Sequence, residues 1–176
     1  MSNDSLKTAA QKRRQSTLLI CQAGIIAALY VALTFVFAPI SFGAVQVRIA
    51  EALTILPLFT PAAIPGLFVG CLIGNFLGGG IVIDIIFGSI ATLLGAIGTR
   101  LLKNRNPIFG TIPPIVANTL IVPFVIKYAY ADEMSLPMIM LMILGGEVLS
   151  CGILGGMLGL SLKKTKLVFS KEKKDK

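Results

Sequence analysis

Four ionisable side chains, Arg48, Glu51, Asp84 and Glu147, lie within or at the edge of long apolar runs in this 176-residue sequence. A charge in hydrocarbon costs several kcal/mol, so such residues default to function. They bind a solute, relay a proton or neutralise one another. The set holds three acids against one base. Arg48 and Glu51 stand three apart and can pair on a helix, but that pairing leaves Asp84 and Glu147 uncompensated. Either a carboxylate is then protonated, as burial favours, or positive charge and hydrogen-bond donors arrive with a ligand. Asn75 and Asn118 add amides, each able to serve as an interhelical hydrogen bond or as a ligand contact. Gln46, just before Arg48, completes the candidate set.

Other chemistries are absent from the sequence. There is no histidine, which removes Ser-His, Cys-His and His-metal arrangements together. No G-x-x-x-x-G-K-S/T run occurs, so the chain cannot bind ATP by a P-loop or power pumping alone. Gly78-Gly79-Gly80 does not complete a dinucleotide loop. Cys21, Cys71 and Cys151 are odd in number and lie in apolar runs, where they read as small packing residues rather than disulfide partners. No cofactor or metal is implied. With no nucleophile–base pair in view, an intramembrane enzyme is the weakest reading.

The elements that must position these residues are membrane helices. Hydrophobic residues make up 55% of the chain, and residues 15–47, 52–83 and 106–126 carry no charge; about 20 apolar residues suffice to cross the hydrocarbon as a helix. The net charge of +8 sits in the tails, +3 from residues 1–16 and +5 from residues 163–176, and the charges between them cancel. Basic tails are held in the cytoplasm. Beside membrane spans these lysines suit topology and anionic lipid, not nucleic acid. The first apolar run is too long for a signal-peptide core and lacks a cleavage site, so it reads as a retained span.

The first span is expected at about 17–38, ending at Pro39. Residues 50–80 would make one helix of about 46 Å, longer than the bilayer core, and Pro57, Pro61 and Pro65 each remove a backbone donor. The stretch therefore divides into a short second span, about 49–58, and a third, about 64–80. The fourth (81–101), fifth (107–127) and sixth (136–162) follow. The expected fold is thus all-α integral membrane, with six transmembrane helices and both termini cytoplasmic. It comprises a basic tail 1–16, a membrane domain 17–162 and a basic tail 163–176. Six spans return the chain to its starting side, as two basic tails require, and place Asp132 and Glu133 outside with Tyr128 and Tyr130 as interfacial anchors. This topology puts Arg48, Glu51, Asn75 and Asp84 in the outer half of the bundle and Glu147 about midway down. A polar cluster reachable from outside is what a binding pocket for an external solute requires.

Small residues recur at helical spacing: Gly66, Gly70, Gly74 and Gly78 in the third span, Gly152, Gly155, Gly156 and Gly159 in the sixth, and Ala23/Ala27 and Ala28/Ala32 in the first. Such stripes let backbones approach closely. In the third and sixth spans they suit internal packing, whereas the alanines of the first could equally face another subunit. No internal repeat supports an inverted-repeat transporter.

The string Val47-Arg48-Ile49-Ala50-Glu51-Ala52-Leu53-Thr54-Ile55-Leu56-Pro57, then Pro61-Ala62-Ala63-Ile64-Pro65-Gly66-Leu67 and Asp84-Ile85-Ile86-Phe87-Gly88-Ser89-Ile90-Ala91-Thr92-Leu93, resembles the QueT family. The resemblance covers most of residues 17–160 and leaves out the tails. It implies a substrate-binding S component of an energy-coupling factor transporter in the bacterial cytoplasmic (inner) membrane. Such a protein captures a 7-deazaguanine queuosine precursor from outside and docks on a transmembrane coupling subunit driven by two cytoplasmic ATPases. The chemistry fits, since a guanine-like edge offers adjacent N–H donors to one carboxylate and an aminomethyl group is a cation that seeks another acid. Arg48 would then orient Glu51. The competing class is a self-sufficient secondary transporter or channel, with Asp84 or Glu147 as a proton relay.

Overall fold

The computed structural model describes residues 3–41, 47–130 and 133–172, with side chains over 11–39, 41, 47–130 and 133–165. Every regular element among them is helical. Helix α1, Asn3–Val36, runs for 34 residues without an internal glycine–proline break strong enough to end it. A short turn of helix, α2 (Ala38–Ser41), follows Phe37. Arg48 is extended, and from Ile49 to Leu58 the backbone closes into a 3-10 helix of 10 residues. Helix α3 spans Ala63–Leu77 and α4 spans Val82–Leu101. Beyond Asn106, whose side chain accepts from the Ile108 N–H at 3.3 Å, come α5 (Pro107–Gly110) and α6 (Ile112–Ala129). The last segment is one helical rod in three parts: α7 (Leu136–Glu147), a π-helical stretch Val148–Gly155, and α8 (Gly156–Glu172).

Among the described residues, four stretches are long and apolar enough to cross a membrane: Gln11–Val36, Val82–Leu101, Pro107–Ala129 and Leu136–Thr165. Their outward faces carry Ile20, Val36, Val82, Leu94, Leu101, Leu120 and Leu141, among other large apolar residues. A surface so apolar suits lipid, not water. The chain is thus a helical multi-pass membrane protein. Helices also stand where the second and third spans were expected, but they are short. The 3-10 helix is about 20 Å long at its rise, and the 15-residue α3 about 22 Å, against a hydrocarbon core of about 30 Å.

Several helix ends differ from the expected spans, α1 beginning at Asn3 and α8 ending at Glu172. Helix α3 ends at Leu77 instead of reaching residue 80, because Gly78, Gly79 and Gly80 form a turn in which Gly79 takes φ +80, a left-handed conformation that glycine alone adopts freely. The final span is not a regular α-helix but widens between Val148 and Gly155, a form that often marks functional sites.

Most glycines of the stripes are where elements touch, Gly156 being an exception with open space beside it. A Cβ at Gly66 would lie 2.7 Å from the Ala23 carbonyl oxygen, and one at Gly70 would lie 2.8 Å from the Tyr30 Cβ and 3.1 Å from the Ala27 Cα. Helix α3 therefore lies directly against α1 through the faces holding Ala23 and Ala27. Gly155 and Gly159 face Ala52 and Ile55 of the 3-10 helix. Gly95 and Gly98 abut Pro114 and Pro113, joining α4 to α6. The 3-10 helix, with eight of its residues buried, is the central post of the bundle. Its C-terminal carbonyls are capped by Arg100, whose guanidinium donates to Pro57 O at 2.9 Å and Leu58 O at 3.4 Å.

Candidate binding site in the helical bundle

In a 3-10 helix, side chains three residues apart eclipse one another. Glu51, Thr54 and Pro57 consequently form one buried row on the central post. Thr54 Oγ1 donates to Glu51 O at 2.6 Å and lies 3.3 Å from Cys151 Sγ. This geometry turns Glu51 inward. It is only 1% exposed.

The Glu51 carboxylate meets three other elements. Tyr30 of α1 donates its hydroxyl to Oε1 in a short hydrogen bond, and Thr92 of α4 reaches the same oxygen at 3.4 Å. The other oxygen, Oε2, is buried and has no hydrogen-bond partner among the described residues. From the last rod, Glu147 and Cys151 bring their ligand atoms within 4.8 Å of one another and of Glu51. Asn118 of α6 donates through Nδ2 to Glu147 Oε1 at 2.9 Å, and Cys151 Sγ donates to Glu147 Oε2 at 3.1 Å. Both Glu147 oxygens and the thiol are already engaged by these bonds, so the three side chains form a hydrogen-bonded network and not an open ligand set.

A second group of polar side chains adjoins the first. Arg48, 7% exposed, lies within electrostatic range of Tyr30, Cys71, Asp84 and Glu51. Asp84 does not cap its helix through its side chain. Instead Tyr130, just past α6, donates to Asp84 Oδ2 at 3.0 Å and accepts from the Ile81 N–H at 3.3 Å. Partial burial, with the Asp84 charge beside it, pushes the Tyr130 phenol upward and keeps it a donor. Asn75, 2% exposed, contacts Cys71 Sγ through Nδ2 at 3.5 Å, and a Cβ at Gly88 would sit 3.0 Å from that nitrogen.

The structure thus draws Glu51, Glu147 and Asn118 into one buried group. Arg48, Asp84 and Asn75 are also buried, and Arg48 lies within electrostatic range of both Asp84 and Glu51. Gln46 lies outside the described residues. The four alanines divide: Ala27 is buried and Ala23 half-buried against α3, so they are taken up by internal packing, whereas Ala28 and Ala32 are exposed.

The polar network also contains Tyr30, Thr92, Cys71, Cys151 and Tyr130, none of which the sequence marks as a site residue. The first four are neutral residues inside apolar runs and carry no charge signal. Tyr130, expected as an interfacial anchor, also donates to Asp84, while Tyr128 is 75% exposed at the end of α6. The two inner cysteines remain free thiols, as expected, but both take part in the polar network.

A family model described as QueT transporter matches residues 20–164. The "Queuosine precursor transporter QueT" of Lactococcus lactis subsp. cremoris (strain MG1363) is 37% identical over 84 residues, 47% of this chain and 49% of that protein. The match therefore spans about half the length of that curated relative. No solved structure matches.

Proposed function

Because the chain belongs to the QueT transporter family, we propose that it is the substrate-binding S component of an energy-coupling factor transporter for a queuosine precursor. Six spans keep both tails in the cytoplasm of a bacterial inner-membrane protein. A 7-deazaguanine enters from outside, binds in the buried polar cluster, and is handed on through a transmembrane coupling subunit driven by two cytoplasmic ATPases. The name of the Lactococcus relative supports the solute class. The lack of a P-loop supports a partner that supplies the energy.

The observation that carries the reading is the buried cluster. Among the described residues Arg48 is the one buried base that stands with Glu51, Asp84 and Glu147, and Glu51 Oε2 lacks a donor. A buried acceptor without a donor costs about 1–3 kcal/mol, and a solute presenting N–H groups removes that cost. A guanine-like edge offers such donors side by side, and an aminomethyl substituent adds a positive charge that suits the acid excess. Glu51, Glu147, Asp84, Asn75, Arg48, Gln46 and Asn118 are the residues assigned to the solute. Exposed Ala28 and Ala32 are assigned to the coupling subunit.

Calorimetric titration of the purified protein with 7-deazaguanines, guanine and unrelated vitamins tests the solute assignment. Saturable binding confined to the deazaguanines is expected. Uptake in cells tests the energy source: it should stop when the partner ATPases are inactivated. Uptake that persists without ATP would place the protein among self-sufficient transporters.

A further inference from the structure

The Glu51 and Glu147 carboxylates and the Cys151 thiol lie within 4.8 Å of one another, with the three residues 1%, 5% and 0% exposed. Two carboxylates in so small a buried space repel each other when both are ionised, unless a positive charge compensates them. The groups facing them are few. Tyr30 of α1, Thr92 of α4 and Asn118 of α6 are neutral donors; Cys71 of α3 and Cys151 of the π stretch are thiols; Arg48 is the base within electrostatic range, and it faces Asp84 as well. One guanidinium between three acids leaves the carboxylate pair in excess of negative charge.

The hydrogen bonds distinguish what can fill the gap. Both oxygens of Glu147 already accept, from Asn118 and from Cys151, and Glu51 Oε1 accepts from Tyr30 and Thr92. Of the four oxygens of this pair, Glu51 Oε2 alone has no donor among the described residues. A divalent ion would have to displace the thiol proton and break several of these bonds. A proton, or an N–H⁺ group of a solute, needs only the one vacant oxygen and its neighbour.

We propose that the Glu51–Glu147 pair carries a proton in the empty site and exchanges it for the positive charge of a cationic solute, one proton leaving for each cation bound. The carboxyl O–H bond breaks, the proton passes to water, and an ammonium N–H hydrogen bond takes its place with no electron transferred. The charge of the buried cluster stays constant through the exchange, which avoids the cost of adding charge to a site away from water. This inference rests on the deazaguanine reading above and narrows it to solutes bearing an amine.

Titration calorimetry of the whole protein tests it, using 7-aminomethyl-7-deazaguanine as the cationic probe and 7-methyl-7-deazaguanine as the neutral one. Each is measured in two buffers of different ionisation enthalpy. About one proton should be released per cation and none per neutral ligand. Since release favours binding as protons become scarcer, affinity for the cation should rise about tenfold per pH unit while the pair is protonated and the amine charged. Infrared difference spectra supply a reading that needs no affinity: the protonated-carboxyl band should vanish on cation binding. It should be missing at the outset from Glu51→Gln and from Glu147→Gln, in which the remaining carboxylate has no like charge beside it. Cation binding without proton release, binding abolished by a chelator, or a carboxyl band that survives in both variants would overturn the exchange. Failure of both probes to bind would overturn the deazaguanine reading itself, and the exchange with it.

Discussion

Tyr30 on α1 donates its hydroxyl to Glu51 on the central 3-10 helix, so the orientation of the innermost carboxylate depends on the first membrane helix. Thr92 is the other donor to that oxygen, at 3.4 Å. Tyr30→Phe should leave a buried carboxylate oxygen largely unserved and lower stability by about 1–3 kcal/mol. Thermal unfolding in detergent measures the loss. Solute affinity should fall with it, and a variant as stable as the parent would show that Tyr30 does not hold Glu51.

The seam between α1 and α3 sets a second expectation. A methyl at Gly70 meets the Tyr30 Cβ at 2.8 Å and the Ala27 backbone at 3.1 Å, and neither can swing away. Gly70→Ala should cost about 1–3 kcal/mol through overpacking. Gly24→Ala is the control, because nothing lies within 4 Å of its added methyl. It should be neutral or stabilising by up to about 1 kcal/mol, from helix propensity. Equal melting temperatures for the two variants would contradict the close α1–α3 packing.

Because Ala28 and Ala32 face outward while Ala23 and Ala27 face α3, two leucine replacements should separate docking from folding. Ala28→Leu should block assembly with the coupling subunit and uptake while leaving solute binding intact. Ala27→Leu should destabilise the protein itself. Co-purification of the complex, with binding measured on the isolated chain, distinguishes them. Full assembly and uptake in Ala28→Leu would remove that face from the interface.

For topology, single cysteines introduced at Lys7 and Lys171 should be labelled only from the inside by a membrane-impermeant thiol reagent, since the tails carry +3 and +5. Labelling of either in intact cells would break the six-span arrangement.

Much of the architecture was legible because charge-free runs and prolines mark helix ends well. Pro57, Pro61 and Pro65 divided residues 50–80 near the observed division between Leu58 and Ala63. The acids of the site were legible because a carboxylate inside an apolar run is conspicuous. Their setting was not. Nothing in Ile49–Leu58 announces 3-10 geometry, yet that geometry stacks Glu51 on Thr54. Nothing at Val148 announces the π stretch that carries Cys151 beside Glu147. Tyr30, Thr92 and the two inner cysteines look like ordinary packing residues until the helices are assembled, when Tyr30, Thr92 and Cys151 prove to donate to the buried carboxylates and Cys71 to accept from Asn75 and Thr92. The alanine stripes showed that α1 packs closely, but not which pair faces inward, since the two stripes lie almost side by side on one helix.

The central claim is that the buried acids bind the solute, and calorimetric titration of 7-aminomethyl-7-deazaguanine against Glu51→Gln, Asp84→Asn and Glu147→Gln tests it most directly. Each amide removes a charge and turns an acceptor into a donor, and hydrogen bonds to charged groups are worth about 1.5–3 kcal/mol. With folding checked by thermal unfolding, Glu51→Gln and Glu147→Gln should weaken binding by roughly tenfold to a thousandfold. Asp84→Asn should weaken it less, because Tyr130 already occupies one of its oxygens. Near-parental affinity in all three variants would contradict the account and reduce the acids to a structural role.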